Sequence, residues 1–255
     1  MKKKNTSWGS VARWYDELVE GEAGTYQKEL ILPNLTRLLD IKRGDTILDF
    51  ACGQGFFSRE FANAGAIVTG VDISSELIAL AKKRSPKQIS FHIAPADNVH
   101  FLSDRSVDKI TIVLALQNIE NVQGALNECA RILKKDGKLF IVLNHPAFRI
   151  PKRSSWGWDS EAKIQYRRID NYLSESTERI AMHPGDRPHE TTLSFHRPLQ
   201  FYAKALAKAG LYITRIEEWN SHKKSEPGPR ARAENIARKE IPLFLFLEAA
   251  RYPSV

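Results

Sequence analysis

The stretch TILDFACGQGFFSREF (residues 46–61) decides the fold of this 255-residue chain. Its apolar start predicts a buried strand over residues 46–50, and the pattern that follows predicts a helix beginning at Phe56. Gly53 and Gly55 lie between the two elements, where a sharp turn favours residues without a Cβ atom. Free N–H groups at the start of a helix attract polar or anionic groups, so the turn predicts a nucleoside-type ligand above it.

Three carboxylates are predicted to lie near this turn. Asp49 lies inside the first strand, where it is a candidate partner for an ammonium group of the ligand. Asp72 ends a second predicted strand about 17 residues after Gly55, near the spacing at which an acid meets ribose hydroxyls in nucleoside-binding βαβ units. Asp97 follows a third predicted strand. All three are therefore expected at the carboxyl ends of neighbouring strands.

The segments ILDFACGQG, VTGVDIS and APADN resemble the first three motifs of class I S-adenosylmethionine-dependent methyltransferases, in the small-molecule branch called type 11. The resemblance covers roughly residues 8–144, with a matching tail from His196. Ala51 replaces the first glycine of the family's D-x-G-x-G-x-G pattern, which matters only if that residue needs a positive φ. A dinucleotide site fits less well, because Ser58 stands where G-x-G-x-x-G has its third glycine.

The resemblance implies S-adenosylmethionine as the cofactor and methyl transfer to a small molecule as the activity. Tyr26, in the link between two predicted N-terminal helices, is a candidate to close over the amino-acid end of the cofactor, with a packing role as the equal alternative. Gln117 and Asn118 carry carboxamides, which can orient a ligand but cannot act as bases. The residues expected to bind the cofactor are Tyr26, Asp49, Ala51, Gly53, Gly55, Asp72, Ile73, Ala96, Asp97, Asn98, Leu114 and Asn118.

Strand-like and helix-like segments alternate along most of the chain, which predicts an α/β fold with a doubly wound, mostly parallel sheet of seven strands. In the resembled family the last strand runs antiparallel. Gly65, Gly137 and Gly210 each follow a helix-like segment and predict left-handed C-terminal caps. We expect a single methyltransferase domain (1–255) comprising N-terminal helices (8–40), a cofactor-binding core (45–144), an inserted cap (145–196) and a C-terminal helix and strands (197–255).

The alternation breaks over residues 145–196. Loops of this length are uncommon unless they are functional or disordered. Alternating flanks at residues 177–182 and 191–196 predict a hairpin around a turn at 182–186. We expect this cap to form the acceptor pocket, and a dimer contact or simple packing is the alternative. The candidate acceptor-binding residues are Trp156, Trp158, Tyr166 and Arg168.

Methyl transfer from a sulfonium depends mainly on placing the acceptor in a dry pocket, because the cofactor is already activated. A general base matters only for an acceptor that is protonated near neutral pH. The candidates are His145, His183 and His196, and each has a structural role as its alternative. No group of histidine, cysteine or acidic residues has the spacing of metal ligands, so no metal is expected.

Thirty-eight lysine and arginine residues against 30 acids give a net charge of +8. This charge admits an RNA methyltransferase of the same fold as an alternative, although acids interrupt the basic clusters. A non-catalytic protein that binds the same cofactor is a second alternative. The favoured partner is a small molecule, anionic or aromatic, and nucleic acid is disfavoured.

Two cysteines, Cys52 and Cys129, form no disulfide framework, which favours a reducing compartment. The start of the chain has no apolar stretch typical of a secretory signal. The longest apolar run, residues 243–247, is too short to span a bilayer. The sequence therefore predicts a cytoplasmic protein without a membrane span, as a monomer or homodimer.

Overall fold

The computed structural model describes residues 8–21, 24–181 and 191–252. Its strands, in chain order, are β1 (Thr46–Phe50), β2 (Ile67–Asp72), β3 (Ser90–Ile93), β4 (Val107–Val113), β5 (Leu133–Asn144), β6 (Ser154–Asp159), β7 (Ile164–Ile169), β8 (Ser176–Ala181), β9 (Thr191–His196), β10 (Leu211–Trp219) and β11 (Phe244–Arg251). Seven of them form one sheet in the order β10-β11-β5-β4-β1-β2-β3, and the other four form two hairpins, β6–β7 and β8–β9.

The α-helices of the described residues are α1 (Ala12–Gly21), α2 (Leu32–Leu39), α3 (Phe56–Asn63), α4 (Ser75–Arg84), α5 (Val122–Ile132), α6 (Leu199–Lys208) and α7 (Ala231–Glu240). Each N-terminal helix begins with a short non-α turn, a 3₁₀ turn at Gly9–Val11 and a π turn at Gln27–Ile31. Within the described ranges, no helix is both long enough and apolar enough to cross a membrane.

Strands β1 to β5 run parallel, with β1 between β2 and β4. Strand β11 pairs antiparallel with β5, and β10 pairs antiparallel with β11. The predicted doubly wound sheet with an antiparallel last strand is therefore confirmed. The chain leaves β1 through α3 towards β2 and later returns to the other side of β1 as β4. This reversal creates a crevice at the carboxyl ends of β1 and β4, where ligands bind in such sheets.

Both faces of the sheet are buried, because neighbouring residues on a strand point to opposite sides. In β5, Leu139 and Ile141 pack with α5 and α6, whereas Phe140 and Val142 pack on the face that α2, α3 and α4 cover. Helix α3 contributes Phe61, which is almost fully buried. The strands are therefore apolar on both sides, and polar residues within them, such as Asp49, are exceptions that need partners.

Two sequence-based expectations need correction. Gly137 does not cap a helix: it lies inside β5 without a positive φ, because α5 ends at Ile132 and the strand begins at once. Gly65 and Gly210 do adopt left-handed conformations, as predicted. The first half of the cap, for which the sequence predicted no particular element, forms the hairpin β6–β7. The second hairpin, β8–β9, was predicted, and its turn lies outside the described residues.

Candidate active site

The turn after β1 has three residues with positive φ: Ala51 (60°), Gly53 (58°) and Gly55 (83°). At Gly55 a Cβ atom would come within 2.9 Å of the Phe91 ring, so glycine is required both for its conformation and for space. Ala51 does adopt a left-handed backbone conformation, which the sequence alone could not decide. A side chain there costs about 1 kcal/mol or more relative to glycine. The rest of the turn therefore holds Ala51 in a strained conformation.

Asp72 ends β2 and fixes this turn against the neighbouring strand. Its Oδ2 accepts a hydrogen bond from the backbone N–H of Gly53 at 3.0 Å, and its Oδ1 accepts one from the N–H of Ser74 at 2.9 Å. Burial raises the pKa of the Asp72 carboxyl above its ordinary value, while these N–H groups lower it. Each carboxylate oxygen can accept a further hydrogen bond. Asp72 is therefore available to a ligand beside the turn.

Asp49 is not available in the same way. Its Oδ2 accepts a hydrogen bond from the Ser58 hydroxyl at 2.6 Å, and its Oδ1 accepts one from the Thr111 hydroxyl at 3.1 Å. The side chain is buried beneath the turn, and burial raises its pKa to about 6. Both oxygens are paired with side chains of α3 and β4, which favours an interior role for Asp49, and its binding of an ammonium group of the ligand stays a prediction.

A cavity of about 830 Å³ opens above the turn, at the carboxyl ends of β1, β2 and β4. The expected cofactor-binding residues that line it are Ala51, Gly53, Asp72, Ile73, Ala96, Asp97, Leu114 and Asn118. Two others lie next to it but outside its lining. Gly55 is the N-cap residue that precedes α3, and the exposed Asn98 donates its N–H to the Pro95 carbonyl at 3.1 Å. Local motifs therefore located the floor of this cavity.

The N-terminal helices and the second hairpin cover the cavity. Tyr15 lies above the turn, with its ring 3.6 Å from the point where a Cβ of Gly53 would be. Burial raises the pKa of Tyr15 to about 12, so its phenol stays protonated. Residues of this cover that the sequence did not single out for the site are Trp8, Trp14, Leu18, Gln27, Ile180, Ala181 and Ser194. Their apolar periodicity indicated helices and a hairpin, but it carried no signal for a shared cavity.

Two buried polar atoms of the lining residues have no hydrogen-bond partner within the described part of the chain. They are the indole Nε1 of Trp8 and the amide Oε1 of Gln117. The amide Nε2 of Gln117 is held by the Leu114 carbonyl at 2.7 Å, which fixes the orientation of the side chain. A buried donor and a buried acceptor without partners are unfavourable in an empty cavity. A polar ligand such as a nucleoside fits this arrangement.

The candidate bases are not brought to the cavity. The Nε2 of His145 lies 2.7 Å from a carboxylate oxygen of Glu218, and its Nδ1 accepts the N–H of Ala147 at 3.2 Å. Burial lowers the pKa of His145 despite this carboxylate. The Nε2 of His196 lies 2.7 Å from the Tyr172 carbonyl oxygen. Both rings are therefore structural, and His183 lies outside the described residues.

The candidate acceptor residues also lie elsewhere. Trp156, Trp158, Tyr166 and Arg168 belong to the hairpin β6–β7, which packs against α7 and does not contribute to the lining of the large cavity. The guanidinium of Arg230, just before α7, lies 4.9 Å from the centre of the Trp158 ring. This pairing directs the first hairpin towards α7. The prediction that these four residues form a pocket above the turn is therefore wrong.

Tyr26 is likewise outside the large cavity. Its hydroxyl lies 3.0 Å from the Ser221 hydroxyl, and its ring packs edge-on against His222 and Phe244. The neighbouring residue Gln27 points into the large cavity instead. Of the two roles considered for Tyr26, the structure favours packing. No cluster of metal-ligand side chains occurs within the described residues.

The sheet order, the glycine turn and the carboxylate at the end of β2 define the class I methyltransferase fold, which binds S-adenosylmethionine at this edge of the sheet. Residues 48–141 match the family described as a methyltransferase domain. Residues 48–141 therefore form a domain of the type 11 methyltransferase family, and the chain as a whole resembles S-adenosylmethionine-dependent methyltransferases, whose cofactor is S-adenosylmethionine.

Solved and curated relatives agree with this assignment. The chain is 26% identical to an S-adenosylmethionine-dependent methyltransferase from Mesorhizobium loti, with a TM-score of 0.71 over 89% of this chain and 100% of the other. It is 34% identical to a demethylmenaquinone methyltransferase of Tropheryma whipplei over 43% of this chain and 46% of the relative. It is 31% identical to a ubiquinone biosynthesis O-methyltransferase of Xanthomonas oryzae over 51% and 55%. The chain spans about half the length of the curated relatives it matches.

Proposed function

We propose that this chain transfers the methyl group of S-adenosylmethionine to a small aromatic acceptor. The observation that carries the proposal is the cavity of about 830 Å³, which combines the glycine turn and Asp72 with walls of aromatic and aliphatic side chains. Ligand cavities in proteins span roughly 300–1,000 Å³, so this volume suits a cofactor and an acceptor together. The printed names of two relatives, which refer to quinone biosynthesis, are consistent with an aromatic acceptor.

The floor of the cavity is proposed to hold the cofactor. Asp72 would accept hydrogen bonds from the ribose hydroxyls, with the backbone at Gly53 next to it. Ile73 and Ala96 would supply apolar contacts to the base, and Asp97 would accept a hydrogen bond from it. When bound, S-adenosylmethionine supplies a methyl group that is already activated on a sulfonium. The chain then has to hold the acceptor in line and exclude water.

The cover is proposed to bind the acceptor. Trp14 and Tyr15 from α1 and Ile180 from β8 give flat, apolar walls. Asn118 and Gln117 provide polar atoms that can orient the acceptor without taking its proton. The described part of the lining contains no histidine. We infer that positioning and exclusion of water, rather than a histidine base, provide most of the rate enhancement.

We also propose that the protein works in the reducing environment of the cytoplasm. Both cysteines are free and buried, Cys52 in the turn and Cys129 in α5. Burial raises the pKa of both thiols, which makes them unreactive. Structural thiols of this kind are typical of a compartment in which disulfides do not form.

Replacing Ile180 by alanine is expected to lower kcat/KM for the acceptor by about tenfold. Truncating this partly buried isoleucine of the cavity wall removes apolar contact worth about 1.5 kcal/mol. Affinity for S-adenosylmethionine should stay within about 0.5 kcal/mol of wild type, because the cofactor is proposed to contact the floor of the cavity and not its cover. The measurement is transfer of labelled methyl groups to a panel of small phenols and hydroquinones, alongside titration of the cofactor.

The matched control is Ile164→Ala. Ile164 is the first residue of β7 in the first hairpin, is 54% exposed and does not line the large cavity. Its replacement should leave turnover and cofactor affinity unchanged. Transfer to no member of the panel, or equal turnover by Ile180→Ala and wild type, would show that the second hairpin does not form the acceptor site.

A further inference from the structure

A second cavity, of about 40 Å³, lies on the other side of the peptide that joins Tyr26 to Gln27. The first hairpin, the end of α7 and the turn after β5 enclose it. No residue lines both this cavity and the large one. The polar and aromatic groups that matter here are Arg149, Arg167, Arg238, Tyr26, Ser221 and Trp156.

The three arginines of this cavity lack carboxylate partners. Within the described residues, none of their guanidinium groups forms a salt bridge. Several other arginines of the chain do pair with a carboxylate. Arg167 donates to the Phe148 carbonyl at 2.9 Å and to the Ser154 hydroxyl at 2.8 Å, and Arg238 donates to the Ser225 hydroxyl at 3.3 Å. These neutral acceptors orient the two side chains without neutralising them.

Arg149 has no hydrogen-bond partner for its guanidinium among the described residues, and it is exposed to solvent. Desolvation lowers the pKa of the Arg167 guanidinium most, and the positive charge of Arg149 lowers it further. The two guanidinium groups therefore repel each other. The Arg167 guanidinium also lies 5.2 Å from the centre of the Trp156 ring, so it cannot easily turn away. Three like charges around a small cavity, two of them oriented by neutral acceptors, repel one another unless an anion lies between them.

We propose that this cavity binds a phosphate dianion, either free or as the phosphomonoester group of a small molecule. Guanidinium groups pair with phosphate oxygens through two parallel hydrogen bonds, and a dianion balances more of the positive charge than a carboxylate does. The hydroxyls of Tyr26 and Ser221, 3.0 Å apart, form one hydrogen bond with each other, and the one that accepts it has its own O–H free to donate to the anion. The cavity has room for the anionic group alone, so the remainder of the ligand extends past Arg149 into solvent. This site is independent of methyl transfer.

The test is titration calorimetry of inorganic phosphate into the full chain at pH 8 and constant ionic strength. Wild type is expected to bind one phosphate saturably, and Arg149→Gln should bind it about tenfold more weakly or worse, as for a lost hydrogen bond between charged groups. Arg168→Gln is the matched control. It removes the same charge from β7 of the neighbouring hairpin, but its guanidinium pairs with Asp170 at 3.0 Å, outside the cavity. It should bind phosphate like wild type.

Two further ligands identify the source of the phosphate. Phenyl phosphate, a dianionic monoester, should bind at least as well as inorganic phosphate, whereas dimethyl phosphate, a monoanionic diester like the nucleic-acid backbone, should bind much more weakly. Equal binding of the diester would overturn the proposal in favour of a nucleic-acid contact. No saturable binding by wild type, or equal losses in Arg149→Gln and Arg168→Gln, would overturn it altogether. Unfolding midpoints of both variants establish that each is folded.

Discussion

Replacing Asp72 by alanine is expected to weaken binding of S-adenosylmethionine by roughly 1.5–3 kcal/mol, which corresponds to about 10- to 150-fold in Kd. The carboxylate is proposed to accept the ribose hydroxyls, and it also holds the N–H of Gly53 at 3.0 Å. Its removal leaves hydroxyls of the ligand and an N–H of the turn without partners in a buried site. Titration calorimetry of the cofactor into wild type and variant measures the effect.

The control for Asp72→Ala is Asp136→Ala, which removes the same charge near the amino end of β5. The amino ends of the parallel strands lie on the side of the sheet opposite the cavity. Asp136 is exposed and does not line the cavity. Its replacement should leave cofactor affinity unchanged. Thermal unfolding of both variants separates lost binding from lost folding. Equal affinity of wild type and a folded Asp72→Ala variant would remove Asp72 from the cofactor site.

Asp49→Asn is expected to stabilise the protein at neutral and alkaline pH. Burial raises the pKa of Asp49 to about 6, from an ordinary value of 3.8. Below pH 3.8 the carboxyl is protonated in both the folded and the unfolded chain, so it adds no pH-dependent cost. Between pH 4 and 6 the unfolded chain loses this proton first. Stability contributed by the protonated group is therefore lost as pH rises, by about 3 kcal/mol above pH 6.

Asparagine is neutral throughout this range, so the variant should escape this loss. The difference in unfolding free energy between Asp49→Asn and wild type is expected to increase by about 2.5 kcal/mol from pH 4 to pH 8, because the unfolded carboxyl is already partly ionised at pH 4. Urea denaturation at several pH values measures it, with Asp136→Asn as a control for an exposed carboxyl. A difference that stays constant with pH, or increases towards acid pH, would show that Asp49 is not destabilised by ionisation.

The parts of this fold that depend on neighbouring residues could be predicted from the sequence. Two-faced apolar strands, glycines at Gly53 and Gly55, and an acid ending β2 are local features, and together they indicated the sheet and the floor of the cavity. Ala51 shows the limit of motif matching, because its φ of 60° lies in the left-handed region that favours glycine. The residue type at this position did not indicate the backbone conformation.

The parts that depend on distant contacts could not be predicted. Asp49 looked like a ligand-binding acid because the sequence does not show that Thr111, 62 residues away, donates to it. Trp158 looked like a pocket residue because its neighbours in the sequence do not indicate that its ring pairs with Arg230. The aromatic content of the cap was informative about order but not about which of its two hairpins covers the cavity. Only the packing of β6–β7 on α7 and of β8–β9 over residues 116–118 decides that.

S-adenosylmethionine is proposed to bind in the large cavity, between the carboxyl ends of the strands and the cover formed by α1 and β8–β9. Hydrogen–deuterium exchange of the full chain with and without the cofactor tests this location, because exchange reports opening segment by segment. We expect slower exchange around Gly53, Asp72, Asp97 and the 3₁₀ turn Leu116–Asn118, and unchanged exchange in the hairpin β6–β7. Protection centred on β6–β7, or no change around Gly53 and Asp72 at saturating cofactor, would contradict it.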